Sequence, residues 1–124
     1  MTTRRQLIQT MAIGLASASL CAPAFAQDNW PNQPVRLVVP FAAGGTSDIL
    51  ARMVADRLRL ALGQPVLVDN RGGAGGVIGA DVVAKATPDG HTILLGTIAS
   101  HAINPALQPR MPYDAVKDFA PVIL

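Results

Sequence analysis

Short apolar runs alternate with longer helical segments along the middle of the sequence. The apolar runs are Val35 to Val39, which Pro40 ends, then Val66 to Val68, and finally Thr92 to Leu95. Runs of this length, bounded by Gly and Pro, are typical of buried strands. The order strand, helix, strand, helix, strand predicts an α/β domain with a parallel sheet and right-handed crossovers.

The two intervening segments are predicted to be helices, the first from about Asp48 to Leu62 and the second from about Val77 to Ala86. In the first, apolar residues recur at helical spacing and are predicted to face the core: Ile49, Leu50, Met53, Val54, Leu58, Ala61 and Leu62. Thr46 or Ser47 is expected to cap its start, since a side-chain oxygen there accepts a free backbone N–H. Gly63 is expected to end it in a left-handed conformation.

Two regions follow the third strand. The polar stretch from Thr97 to Leu107 is predicted to be a loop holding a short helix. The apolar stretch from Phe119 to Leu124 predicts a further strand.

The first 26 residues have the three-part plan of a secretory signal peptide. Arg4 and Arg5 precede a mostly apolar stretch, and Ala24-Phe25-Ala26 has the pattern of a cleavage site. We expect cleavage after Ala26, export to the periplasm by the Sec or twin-arginine route, and a mature domain over 27–124. Cys21, the single cysteine, is then lost, which excludes disulfides and cysteine-based sites from the mature chain.

Charge and motif spacing exclude several classes of function. Without residues 1–26 the chain carries eight basic and eight acidic side chains, so no basic face is expected for a nucleic acid. Gly73, Gly75 and Gly79 resemble a dinucleotide fingerprint, but they follow the second strand, and no lysine follows them to make a phosphate-binding loop. The two histidines lack metal-site spacing. We expect no cofactor and no metal.

Three loops are predicted to meet at the carboxyl edge of the sheet, where open α/β sheets bind ligands. They are Phe41 to Asp48, Asn70 to Val77, and Gly96 to Asn104. The first two lead into helix starts, whose free N–H groups and positive dipole favour an anion such as a carboxylate.

Other interpretations of these loops stay open. The glycines also serve tight turns and close helix packing. Asp48 either caps its helix or contacts a ligand, directly or through water. Ser100 and His101 are adjacent and suggest a nucleophile with its base, although neighbours in sequence seldom face each other correctly.

A set of short segments, in order along nearly the whole mature chain, resembles the N-terminal lobe of the Bug family, the receptors of tripartite tricarboxylate transporters. The matching segments are Trp30-Pro31 with Pro34-Val35-Arg36, Pro40 to Asp48, Asn70 to Gly79, Ala84 to Gly90, His101 to Pro105, and Pro112 to Phe119. Asp69 stands where the family usually has Glu.

The resemblance implies one lobe of a periplasmic two-lobed binding protein. Such a protein is a monomer without enzymatic activity that captures a small carboxylate for membrane transporter subunits or a sensor. The resemblance also implies a set of ligand-binding residues: Phe41, Ala43, Gly44, Thr46, Ser47, Asp48, Ala74, Gly75, Thr97, Ser100, His101 and Asn104. Residues 27–124 are expected to form one lobe, and the second lobe of the family is not among them. The alternatives are an exported α/β hydrolase using Ser100 or Asp48, and a non-functional truncated fragment.

Overall fold

The fold is described for residues 29–123 from a computed structural model. The predicted signal peptide therefore lies outside the described residues. The elements in chain order are strand β1 (Val35–Val39), helix α1 (Thr46–Leu62), strand β2 (Val66–Asn70), a 3₁₀ turn (Ala74–Gly76), helix α2 (Val77–Ala84), strand β3 (Thr92–Leu94), a π-helical turn (Ala99–Ile103) and helix α3 (Asn104–Leu107). The predicted alternation and the short helix after the third strand are confirmed.

The three strands form one parallel sheet in the order β2-β1-β3. In the central strand β1, Val35 pairs with Val66 on one side, while Arg36 pairs with Thr92 on the other. Parallel neighbours cannot be joined by a tight turn and need a crossover, which α1 and α2 provide. The predicted α/β class with a parallel sheet is confirmed.

The core lies on both faces of β1. Leu37 and Val39 pack with Ala51 of α1 on one face, and Leu94 of β3 packs with Ala80 of α2 on the other. Side chains alternate across a strand, so a central strand buried on both faces must be apolar almost throughout. This burial explains why β1 carries four large apolar residues in five.

The predicted core face of α1 is wrong in its main positions. Ala51 and Ala55 are 0% and 6% exposed against the sheet, whereas Leu50 and Met53 are 52% and 62% exposed. Ile49, Val54 and Ala61 are exposed as well. Alanine lets the helix axis approach the strands closely, and that close packing turns the larger side chains outward. The apolar spacing correctly predicted a helix but not its buried face.

One predicted helix end is confirmed and another differs. Gly63 ends α1 with φ 67°, and its N–H bonds to Arg59 O at 3.1 Å, which confirms the predicted left-handed end. Helix α2 ends at Ala84 rather than Ala86.

The predicted strand from Phe119 is absent over 119–123. Val122 and Ile123 are 86% and 89% exposed there. A strand needs a neighbour with which to exchange backbone hydrogen bonds, and residues 119–123 pair with none of the three described strands.

Helix α1 is the longest described helix, at 17 residues. Among residues 29–123, no helix combines the length and hydropathy that crossing a bilayer requires.

Candidate functional site

The three predicted loops meet at one edge of the sheet, because the strands before them are parallel. Asn70 Nδ2 donates to Phe41 O at 3.2 Å, joining the loop after β2 to the loop after β1. Asn104 Nδ2 donates to Gly75 O at 2.9 Å, joining the loop after β3 to the loop after β2. A surface built from all three loops is therefore present.

The start of α1 is not capped as the sequence predicted. Gly45 is the N-cap residue, and neither Thr46 nor Ser47 makes a side-chain capping bond. Instead Asp48, in the first helical turn, reaches back and its Oδ2 accepts the N–H of Gly44 at 2.8 Å. Gly44 has φ +83°, a conformation that suits glycine and turns the loop into the helix.

Three N–H groups remain free at this helix start. Those of Thr46, Ser47 and Asp48 find no acceptor among residues 29–123, whereas the N–H of Ile49 already donates to Gly45 O. The first N–H groups of a helix have no partner within it, and the helix dipole is positive at this end. We call these three groups the amide cradle. Its geometry suits a carboxylate or another small anion.

The side chain of Asp48 is buried at the same helix start. It is 6% exposed, and its Oδ1 lies 3.0 Å from a guanidinium nitrogen of Arg52. The N–H of Gly44 and the Arg52 guanidinium hold the pKa of Asp48 below its ordinary value, so the carboxyl is ionised at neutral pH. Two roles were predicted for Asp48, capping its helix and contacting a ligand. The structure shows a bond of the first kind, from the N–H of Gly44 to Asp48 Oδ2.

The loop after β2 is wound by consecutive left-handed residues. Gly73, Gly75 and Gly76 have φ of +132°, +64° and +96°, and Ala74 has φ +48°. The N–H of Gly76 donates to Gly73 O at 3.0 Å, and that of Val77 to Ala74 O. The 3₁₀ turn thus provides acceptors for two N–H groups at the start of α2. This helix start is therefore less open to an anion than the start of α1.

Gly79 has a packing role. A Cβ there would lie 2.8 Å from Pro40 Cα and 2.8 Å from Arg71 O. For this glycine the close-packing interpretation is confirmed, since α2 could not lie against the loop after β1 with any larger residue.

The loop after β3 is built around Ser100, which is fully buried. Ser100 Oγ accepts the N–H of Thr97 at 3.1 Å, donates to Thr97 O at 3.0 Å, and lies 2.9 Å from His101 Nδ1. The hydroxyl of Tyr113 donates to Ser100 O at 2.6 Å. Ser100 therefore organises its loop from inside, without the exposure that a nucleophile needs.

The predicted binding residues divide by exposure into three groups. The exposed residues are Ala43, Gly44, Thr46, Ala74 and Gly75. The partly buried residues are Phe41, Ser47, Thr97, His101 and Asn104. Asp48 and Ser100 are buried.

Sequence reasoning gave no role to three residues that shape this site: Asn70, Tyr113 and Phe119. The ring of Phe119 packs against that of His101, with centroids 4.8 Å apart, and against Tyr113 at 5.5 Å. Burial raises the pKa of Tyr113, and the charge of Asp81 adds to this. Asn70 carried a signal, an amide side chain where a strand ends, but the two aromatic residues are distant in sequence and carried none.

No group of three or more His, Cys, Asp or Glu side chains suited to a metal ion occurs in the part of the chain that the structure describes. His91 lies at the start of β3, at the opposite edge of the sheet from the three loops.

Comparison with known proteins identifies relatives of the chain. Residues 50–124 match the family described as "Tripartite tricarboxylate transporter family receptor". Protein BugT of Bordetella pertussis is 43% identical over 118 residues, which are 94% of this chain and 36% of that protein.

Solved structures agree with this match. MatC from Rhodopseudomonas palustris, with bound malate, is 44% identical with a TM-score of 0.72, over 75% of this chain and 32% of that one. An R. palustris protein with adipate is 48% identical with a TM-score of 0.66, over 69% of this chain and 29% of that one. The chain spans about a third of the length of the relatives that it matches.

Proposed function

Because the chain belongs to the tripartite tricarboxylate transporter receptor family, we propose that it forms the N-terminal lobe of an extracytoplasmic solute-binding receptor. The receptor captures a small carboxylate and delivers it, as a monomer, to membrane subunits of a transporter. The leader over 1–26 directs it to the periplasm.

The amide cradle is the observation that carries this proposal. Three N–H groups that find no acceptor among residues 29–123 lie at the positive end of a 17-residue helix, beside a glycine loop that lets a ligand approach the backbone. Related proteins hold dicarboxylates, malate in MatC and adipate in the other R. palustris protein. The same class of ligand suits the cradle.

The proposed lobe needs a second lobe to bind tightly. A helix start stabilises an anion by roughly 0.3–1 kcal/mol at an exposed site. A micromolar site requires roughly 8 kcal/mol. Direct hydrogen bonds supply part of the difference, and a second lobe closing over the ligand supplies the rest by excluding water.

A hydrolase is the weaker alternative. Its two predicted catalytic residues, Ser100 and Asp48, are both buried and both bonded within their own loops. Ser100 Oγ does lie 2.9 Å from His101 Nδ1, but a fully buried hydroxyl is closed to a substrate, and the Asp48 carboxylate is held by Gly44 and Arg52.

The test is an NMR titration of the ¹⁵N-labelled full chain with malate and adipate, using the corresponding uncharged diamides as matched controls. We expect the acids to shift the backbone amides of Thr46, Ser47 and Gly75, with no effect of the diamides. Unchanged spectra, or shifts confined to other residues, would contradict the proposal. Hydrolysis of the diamides to the acids, with release of ammonia, would favour the hydrolase.

A further inference from the structure

The side chain of Asp48 is placed to control the amide cradle without itself meeting a ligand. Its Oδ2 accepts the N–H of Gly44 at 2.8 Å and that of Arg52 Nε at 3.2 Å. Its side chain is 6% exposed, while that of Arg52 is 57% exposed. The carboxylate therefore faces inward, towards the loop that enters its helix.

The bond from Gly44 to Asp48 determines the direction in which the loop continues. Gly44 is left-handed at φ +83°, Gly45 is extended at φ −83° and ψ 172°, and the helix begins at Thr46. The N–H of Gly44 is thus bonded to the first turn of the helix, whereas the N–H groups of Thr46 and Ser47 find no acceptor among residues 29–123.

A second contact holds the other end of the same loop. The side chain of Asn70 donates to Phe41 O at 3.2 Å, on the chain just before Gly44. The loop is fixed at two points, and Asp48 provides the one next to the amide cradle.

The charge of Asp48 argues against direct contact with a carboxylate ligand. A carboxylate close to a bound anion would repel it, and the guanidinium of Arg52 compensates by lying 3.0 Å from Oδ1. A group that binds through its charge would be exposed, whereas this one is buried and already paired.

We propose that Asp48 is a positioning residue, which aims the N–H groups of Thr46 and Ser47 at the ligand by fixing the amide of Gly44. This role rests on the proposed function as a carboxylate receptor. The ligand contacts the amides and not the Asp48 side chain.

Two substitutions separate the hydrogen bond of Asp48 from its charge. Asp48→Asn keeps an oxygen that accepts the N–H of Gly44 and removes the charge, whereas Asp48→Ala removes both. Asp81→Asn is the matched control, because Asp81 also pairs with a cation four residues later, Lys85, but makes no bond to a loop amide.

The first measurement needs no ligand. Amide hydrogen exchange of Gly44 in the full chain should become about tenfold faster in Asp48→Ala, as expected when a charge-assisted bond is lost. Asp48→Asn should recover most of the protection, and Asp81→Asn should match the wild-type chain. If Gly44 exchanges equally in all four proteins, the positioning role is wrong, whatever the chain binds.

The second measurement uses malate in an NMR titration of the same four proteins. We expect Asp48→Ala to bind malate roughly tenfold more weakly than the wild-type chain. We expect Asp48→Asn to bind malate at least as well as the wild-type chain, because it keeps the bond to Gly44 and no longer repels the ligand. Equal weakening by Asn and Ala would show that the ligand contacts the carboxylate, which overturns the proposal. A wild-type chain that binds no malate contradicts the receptor function, while the exchange result still decides the role of Asp48.

Discussion

The side-chain amide of Asn104 donates to the backbone carbonyl of Gly75 at 2.9 Å. Gly75 is left-handed at φ +64°, and a Cβ there would lie 3.3 Å from Asn104 Oδ1, so the two residues are in close contact. This pair joins the short helix α3 to the glycine loop, and it keeps the third loop of the candidate site against the second.

Replacing Asn104 with Ala should therefore loosen both loops. The unfolding free energy should fall by about 1 kcal/mol, the typical contribution of one such bond, and the amides of Ala74 and Gly75 should exchange faster. Urea unfolding and NMR hydrogen exchange measure the two effects. Asn32→Ala, at an exposed position, is the control. Unchanged exchange at Gly75 would mean that the loop holds its shape alone.

Gly79→Ala should be among the most damaging small substitutions in the described chain. The added methyl would lie 2.8 Å from both Pro40 Cα and Arg71 O, and these backbone atoms cannot rotate away as a side chain can. We expect a loss of about 3 kcal/mol, at the upper end of the range for overpacking. Thermal unfolding measures it.

Gly45→Ala is the matched control for that experiment. A Cβ at Gly45 meets only Ala42 O at 3.6 Å, and its φ is negative. We expect its unfolding free energy to fall by about 1 kcal/mol or less, because Ala is a poorer N-cap residue than Gly but meets no clash there. Similar losses in both variants would show that α2 does not pack against Pro40 as described.

The buried face of α1 gives a prediction that opposes its apolar pattern. Ala51→Leu should lower the unfolding free energy by about 1–3 kcal/mol, because Ala51 is fully buried against the sheet. Leu50→Ser should change it by about 0.5 kcal/mol or less, because Leu50 is 52% exposed. Urea unfolding of the two variants decides between the faces, and the reverse order would restore the face predicted from spacing.

The order of the elements could be predicted because each strand and helix has its own local sequence pattern. β1 is an apolar run that Pro40 ends, and α1 is an apolar repeat that Gly63 ends. Which face of α1 is buried depends instead on how closely the helix approaches the sheet, a tertiary property that Ala51 satisfies and Leu50 does not.

The position of the candidate site could be predicted from the sequence, but not all of its contacts. The two glycine-rich loops show in the sequence where an anion would meet helix starts. The sequence does not show which residue caps the helix, because Thr46, Ser47 and Asp48 are consecutive and all carry oxygen acceptors. The packing of Phe119 on His101 joins residues far apart in sequence, and no local pattern encodes it.

The lowered pKa values predict how stability responds to acid. The N–H of Gly44 and the guanidinium of Arg52 lower the pKa of Asp48 below 3.8, and the N–H groups of Val116 and Lys117 do the same for Asp114. Below 3.8 the unfolded chain binds more protons than the folded one, so the unfolding free energy should fall as pH drops through the folded pKa values. At pH values well above 3.8 both carboxyls are ionised in the folded and the unfolded chain, so they do not make the unfolding free energy depend on pH.

Asp48→Asn separates the contribution of this carboxylate from the others. The variant has no proton to take up at this position, so between about pH 4.5 and 2.5 its unfolding free energy should fall less steeply than that of the wild-type chain. Urea unfolding at several pH values in this interval measures the two slopes. Parallel curves would mean that the carboxyl of Asp48 has the same proton affinity folded and unfolded. Its bond to Gly44 would then be too weak in solution to hold the loop.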